Sequence, residues 1–388
     1  MTSFINAQTT AGGGLSFVSD ASGNLQLQGG GNNGIYIGSN GNVGINSTAP
    51  VTTLDVQGNV NVLNTVIMGS SFLRNRLING GMQVWQRGTA FTNLGYAYSA
   101  DRWAGGPFTG VQQISQNTSV PAVTGAAFQY SLKLQRPSGS VVTTPFCIIQ
   151  TIESVNCYDL SGQTITLSFW AKAGANFSAP YLGVQVNTGT VADQGSSAYY
   201  NWTGVSNPIN AANTINTAWT KYTYTGTVGA GVLEMNVVLF FNPVGTAGAD
   251  DSVYITGVQL EPGPVATPFE RRLYGTELAL CQRYYYQYTV PQFGASFIAV
   301  TYNTTNGYAK LAIPVPLRTA PSLTSFNITG SGTWYLFYGG TVTSVTFGVV
   351  YGTDLQLNIA GTSFIANGAT MLSNSSTNAF NLQFSAEL

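Results

Sequence analysis

The sequence contains no histidine and only three cysteines, and charged side chains make up just 7% of its 388 residues. Each shortage removes a class of chemistry. Without histidine there is no His-based catalytic triad and no usual zinc site, because the side chain that titrates nearest neutrality and the commonest metal ligand are both missing. Cys147, Cys157 and Cys281 are too few and too widely spaced for a disulfide framework or a paired metal motif. They read as small apolar residues of a core. An ordinary globular chain is about 25% charged, so the deficit filled here by Gly, Ser, Thr, Asn, Gln and Tyr predicts a neutral, polar surface. With 13 basic against 14 acidic residues and no run of Lys or Arg, neither nucleic acid nor an anionic membrane is an expected partner. No apolar stretch approaches the roughly 20 residues of a membrane-spanning helix, and the opening MTSFINAQTTAGGG lacks the layout of a signal peptide. The expectation is a soluble chain that is not exported by that route, inserts into no membrane and needs no cofactor.

What the sequence does have is β-pattern. Residues 1–70 carry only Asp20 and Asp55 as charges and consist of short alternating segments separated by glycine: LSFVSD, NLQLQG, GIYIGS, NVGINS, TLDVQG and NVNVLN. Strands this short cannot bury a core within one chain, so neighbouring copies must cover their apolar side. That predicts a fibrous N-terminal attachment and stem segment, assembled as a homotrimer; the alternative is a Gly/Asn-rich leader that orders only in an assembly. Residues 71–270 hold longer strands rich in β-branched and aromatic residues, such as QTITLSFWAKA, LEMNVVLFF and DSVYITGVQLE. They predict a two-sheet β-sandwich or jelly roll, with the adjacent Phe169 and Trp170 on opposite faces. One short junction helix is expected over 271–288, where Leu273, Glu277, Cys281 and Tyr284 recur at helical spacing. Residues 289–388, with Lys310, Arg318, Asp354 and Glu387 as their only charges, read as a smaller β-sandwich tip. The fold class is all-β.

Several segments carry a family likeness as well. RNRLINGGMQVWQRG at 74–88, YSADRW at 98–103, SFWAKA at 168–173, ITGVQLEPGPVATPFERRLYGTELALCQRYYYQY at 255–288 and PVPLRTAPSL at 314–323 occur in that order. Together they resemble phage and prophage tail-fibre proteins, and GNVGINSTAPVTTLDVQGNV at 41–60 is similar to fibre stem repeats. The resemblance implies a virion protein made in the host cytoplasm. Its N-terminus would bind a tail or baseplate protein, its jelly roll would be similar to a carbohydrate-binding module, and its distal tip would face the host.

The candidate sites follow from the chemistry of neutral sugars, whose apolar faces stack on aromatic rings while amides and hydroxyls satisfy their OH groups. Two clusters supply such rings: Tyr199, Tyr200 and Trp202 in a polar loop, either displayed at the surface or packed as a satellite core, and Trp334, Tyr335, Phe337 and Tyr338 near the C-terminus. In the second, alternation places Trp334 with Leu336 and Tyr338, opposite Tyr335 and Phe337, so one face is core and the other is the candidate receptor face. Tyr284, Tyr285 and Tyr286 lack a basic groove beside them and read as packing for the junction helix. A glycosidase needs two carboxylates about 5–10 Å apart, and Asp250 with Asp251, Glu153 with Asp159, and Glu261 with Glu270 are the pairs available. Asp250 and Asp251 read first as a turn and second as weak Ca²⁺ ligands, there being no DxDxDG-like run. The others read as ion pairs, as do Arg74, Arg76, Arg87, Asp101 and Arg102, which flank the stem-to-sandwich boundary and would clasp domains or subunits. The sequence thus predicts a non-enzymatic fibre that binds a host surface polysaccharide. A structural head fibre or decoration protein and a tailspike-like depolymerase are the alternatives.

Overall fold

The computed structural model describes residues 21–29, 32–57, 74–106, 112–122, 128–195, 201–290, 295–325, 334–336, 341–351, 354–374 and 380–387. The chain is all-β apart from one α-helix and two single-turn 3₁₀ helices among these residues. It divides into two compact units, Met1–Gly69 and Ser70–Leu388.

In the first unit, β1 (Leu25–Gly29), β2 (Asn32–Ile37), β3 (Val43–Ile45) and β4 (Leu54–Val56) form a four-stranded sheet in chain order. The first two pairings are antiparallel and the third is parallel. The register aligns Leu25, Ile37, Val43 and Leu54 in one row and Leu27, Ile35, Ile45 and Val56 in the next but one. Because side chains alternate along a strand, both rows lie on the same face. None of these eight apolar side chains is buried, and Leu54 is 60% exposed. As expected of strands of three to six residues, the sheet's described residues form no buried hydrophobic core.

The second unit opens with a β-sandwich built from β5 (Ala90–Leu94), β6 (Ala104–Gly105), β7 (Gln112–Asn117), β8 (Ser131–Gln135), β9 (Phe146–Ile152), β10 (Thr164–Ala173), β11 (Leu182–Gly189), β12 (Ser206–Asn213), β13 (Thr220–Thr227), β14 (Glu234–Phe241) and β15 (Ser252–Pro262). One sheet runs β13-β10-β15-β8-β7-β5 and the other β12-β11-β14-β9-β6. Alternation decides which side chains fill the space between them: Leu167, Phe169 and Ala171 of β10 meet Val184 and Val186 of β11 and Val237 and Leu239 of β14 in one core. Phe169 is fully buried, whereas its neighbour Trp170 is only partly covered on the other face, as the sequence predicted. Opposite them β15 carries a bulge, where Ser168 pairs with Gln259 but Trp170 pairs with Thr256. Gly257 occupies that bulge at φ +62°, and a Cβ there would lie 2.7 Å from the Phe128 ring.

The helix α1 is shorter than expected, Tyr274–Gln282, and the tyrosines after it do not continue it. Instead β16 (Tyr285–Val290) starts there and pairs along its length with β24 (Phe380–Ser385), which also pairs with β19 (Ser322–Ser325). The aromatic run YYYQY suits an extended strand, whose pairing with the chain's end outweighs the helical spacing. The predicted second sandwich is a closed barrel, in the order β17 (Ala295–Thr301), β18 (Asn306–Ala312), β22 (Asp354–Thr362), β21 (Thr341–Tyr351), β20 (Trp334–Leu336) and β23 (Gly368–Asn374). Closure follows because β17 is bonded on both edges, to β18 and to β23, leaving no free edge to expose. Inward residues such as Phe297, Leu311, Leu357 and Leu372 fill it.

Candidate functional site

The aromatic positions marked by the sequence separate sharply. Trp202 is buried, 4% exposed, with its indole N–H donated to the Gly195 carbonyl at 3.1 Å. It packs with Ala104, Cys147, Ile149 and Val238, and Tyr96, Tyr98 and Phe240 surround them. For Trp202 this is the satellite core and not the displayed ring. Outward side chains of β9 and β14 such as Cys147, Ile149 and Val238 are themselves apolar, and Trp202 covers them, so its own ring is not open to a ligand. The signal was present in FCIIQTI and EMNVVLFF, which do not alternate and so belong to strands covered on both faces. Tyr199 and Tyr200 lie outside the described residues, as do Phe337 and Tyr338. Trp334 and Tyr335 are placed by backbone register alone: Trp334 opposite Asn374, and Tyr335 between Ser373 of β23 and Thr341 of β21. Leu336, two residues after Trp334, is buried in the barrel core.

Asp250 and Asp251 are both engaged. Lys133 Nζ lies 2.8 Å from Asp250, and the Asp251 carboxylate meets Arg136 at 3.2 Å in a fully buried pair while accepting the Ser178 hydroxyl at 2.8 Å. Burial works against ionisation of Asp250, but hydrogen bonds from Lys133 and Ser252 outweigh it and hold its pKa down at about 2. The pair is a pinned turn, and among the described residues no group of three or more potential metal ligands converges. Glu153, Asp159, Glu261 and Glu270 are likewise partners of arginines: Arg283, Arg76, Arg74 and Arg272.

The ion pairs of Glu153, Asp159, Glu261 and Glu270 belong to one polar seam that joins the segments 74–88, 98–103 and 255–288 to the last residues of the chain. Asn79 is its hinge. Its amide donates to the Val84 and Asp101 carbonyls, its side-chain oxygen accepts the Gln83 and Val84 N–H groups, and its carbonyl accepts the Trp103 indole. Glu387 accepts from Arg87 at 3.1 Å and from Arg102, and the Arg102 and Arg87 guanidinium groups lie 3.6 and 3.5 Å from the Tyr284 and Tyr285 ring centres. Burial raises the pKa of Asp101 to about 6, the Gln86 amide only partly offsetting it. Such buried pairs fix geometry; they offer no open position to a ligand.

An open position does exist on the barrel. The ladder between β17 and β18 runs only from Ala299–Thr301 to Gly307–Ala309, although β17 begins at Ala295 and β18 continues to Ala312. The two strands part beyond the Ala299–Ala309 pair, and a groove of about 590 Å³ opens between them. Phe297 and Leu311 form its floor, Ile298, Val300, Tyr308 and Ala312 its walls, and Tyr288 reaches in from β16 with its ring 5.4 Å from that of Phe297. Lys310 and Asp354 stand at it 3.7 Å apart, both well exposed. None of these residues was singled out as a site from the sequence. Lys310 and Asp354 were nevertheless visible as two of the four charges in the last hundred residues, on strands otherwise neutral.

No family model matches the sequence, and none of the curated proteins matches it. Solved structures similar to it include the enzymatically active domain of bacteriophage CBA120 tailspike protein 4. That similarity has 15% identity over 49% of this chain and 22% of the tailspike chain, with a TM-score of 0.31. This chain therefore spans about a fifth of the length of that solved tailspike domain. A carbohydrate-binding module in complex with β-1,4-galactotriose is similar at 12% identity over 49% of this chain and 99% of the module, with a TM-score of 0.28. The N-terminal cellulose-binding domain of Cellulomonas fimi β-1,4-glucanase C is similar at 15% identity over 42% of this chain and 90% of the domain, with a TM-score of 0.26.

Proposed function

We propose that this chain is the subunit of a homotrimeric virion fibre that attaches to a surface glycan of the host, with its N-terminal segment held by a tail or baseplate protein. The observation that carries the reading is the incompletely covered apolar face of the N-terminal sheet, eight side chains in two rows, of which none is buried and Leu27, Ile35 and Leu54 are exposed. Apolar area left in water forgoes roughly 25 cal/mol per Å², and further copies of the same sheet, offering the same rows, are the natural cover. Three short sheets packed around an axis make a stem. Glycan attachment is supported by the neutral, hydroxyl- and amide-rich composition and by the aromatic groove on the barrel, which needs no long-range charge to hold a sugar. Repetition in a trimer multiplies weak single contacts. No catalytic step is assigned, since every carboxylate pair weighed as a hydrolytic dyad is tied to a cation.

Two measurements test this. Light scattering of the full-length protein should give three times the 40.9 kDa chain mass, and Leu27→Asp with Ile45→Asp should shift it toward the monomer; a monomer for the unaltered protein contradicts the stem. Purified host polysaccharide should compete with cells for the labelled protein without releasing reducing ends. Release would move the chain to the depolymerase class.

A further inference from the structure

We infer that the groove between β17 and β18 is a saccharide site selective for sugars that carry a methyl group, as an acetamido or a 6-deoxy substituent. The inference rests on the glycan-attachment reading and adds to it a place and a ligand class. The groove has two chemically distinct depths. Its floor is made by Phe297 and Leu311, residues of the barrel core, 3% and 4% exposed, that border the groove where the β17–β18 ladder stops at Ala299–Ala309. Neither Phe297 nor Leu311 carries a side-chain polar group, so a plain hexose pushed against them loses water from hydroxyls that these two side chains cannot satisfy, which is costly. A methyl group loses nothing by the same move and gains about fourfold in affinity from its burial. Higher up, Tyr308 offers a ring to the apolar face of a pyranose. Beside it the Lys310–Asp354 pair offers a donor and an acceptor 3.7 Å apart, the arrangement that neighbouring sugar hydroxyls or an acetamido group satisfies.

Charge narrows the class further. Lys310 is already compensated by Asp354, and no second basic residue lines the groove, so a uronate or sulfated sugar finds no net attraction. An inserted peptide strand is the competing occupant, since the β17–β18 ladder stops at Ala299–Ala309. The stretch of β18 beyond it is short, Lys310–Ala312, enough for about two ladder bonds.

The test is titration of the full-length protein with three trisaccharides, an N-acetylglucosamine trimer, a rhamnose trimer and maltotriose, with saturation-transfer NMR to read which protons touch the protein. The expected result is binding of at least one methyl-bearing trimer, its methyl resonance the most strongly saturated, and weaker or no binding of maltotriose. Tyr308→Ala should weaken it roughly tenfold and Tyr308→Phe should restore it, with unfolding temperatures checked for both. Equal affinity for maltotriose, no affinity for either methyl-bearing trimer, indifference to Tyr308→Ala, or preferential binding of an extended apolar peptide each overturns the inference. Adsorption to host cells separates this from the broader reading: a Tyr308→Ala protein that adsorbs undiminished removes the groove but leaves the adhesin, whereas an unaltered protein that binds trisaccharide yet never adsorbs removes the adhesin but leaves the groove.

Discussion

At the scale of single residues, the molecule buries several of its few charges, among them Asp101, Arg102, Arg136, Glu234 and Asp251. Glu234 is fully buried on β14, with one carboxylate oxygen accepting the Gln194 N–H, and burial lifts its pKa to about 8. Asp101 is raised to about 6 for the same reason. In both, the folded state binds the proton more tightly than the unfolded chain does, so stability falls as pH rises from the unfolded values near 4 through the folded ones. At the acid end Asp250, held at about 2, works oppositely and loses its contribution as pH drops toward that value. Thermal unfolding followed by calorimetry should therefore show greatest stability in mildly acidic buffer and a decline between about pH 5 and 9. Glu234→Gln should flatten the upper part of that decline. Trp202 gives a second prediction. As a buried cover for Ile149 and Val238, its replacement by Ala should cost about 3–5 kcal/mol in denaturant unfolding while leaving glycan binding per folded molecule unchanged. A binding loss without destabilisation would return the ring to the surface.

Among the elements, what the sequence revealed and what it concealed divide along physical lines. Runs of β-branched and aromatic residues made β10, β14 and β15 readable, and alternation did the same for the four strands of the N-terminal sheet, because period and composition are local properties. The junction helix was legible only in part. Cys281 and Glu277 sit at helical spacing and are buried on α1, but Tyr285 onward belongs to a strand whose partner, Phe380–Ser385, lies about a hundred residues away. No local signal reports such pairing. The closure of β17–β23 into a barrel was hidden for the same reason, and with it the groove, which depends on where a ladder stops. The residues that stood out as a family likeness, by contrast, turn out to be the seam: Asn79, Asp101, Arg102 and Tyr284 join sandwich, helix and C-terminal end. Glu387→Ala leaves Arg102 buried and uncompensated, so it should cost about 3–5 kcal/mol, and limited proteolysis should then cut between sandwich and barrel. Retained resistance would mean that the remaining bonds, such as Arg318 to the Ala386 carbonyl, suffice.

On the scale of the whole molecule, scarcity of charge sets how it meets other surfaces. A chain with 13 basic and 14 acidic residues, most of the arginines paired internally, has little field to screen. Attachment built on rings, hydroxyls and amides should be nearly indifferent to salt, unlike adhesion through anionic polymers. The measurement that bears most directly on the proposed function is binding of the full-length protein to an array of purified bacterial surface polysaccharides at 0.15 and 1 M salt, concentrations spanning roughly 8 to 3 Å of screening length. Saturable binding to one or a few glycans, unchanged between the two salts and lost on periodate cleavage of the sugar rings, is the predicted result. Binding to none of them, or binding that disappears at the higher salt, would contradict it.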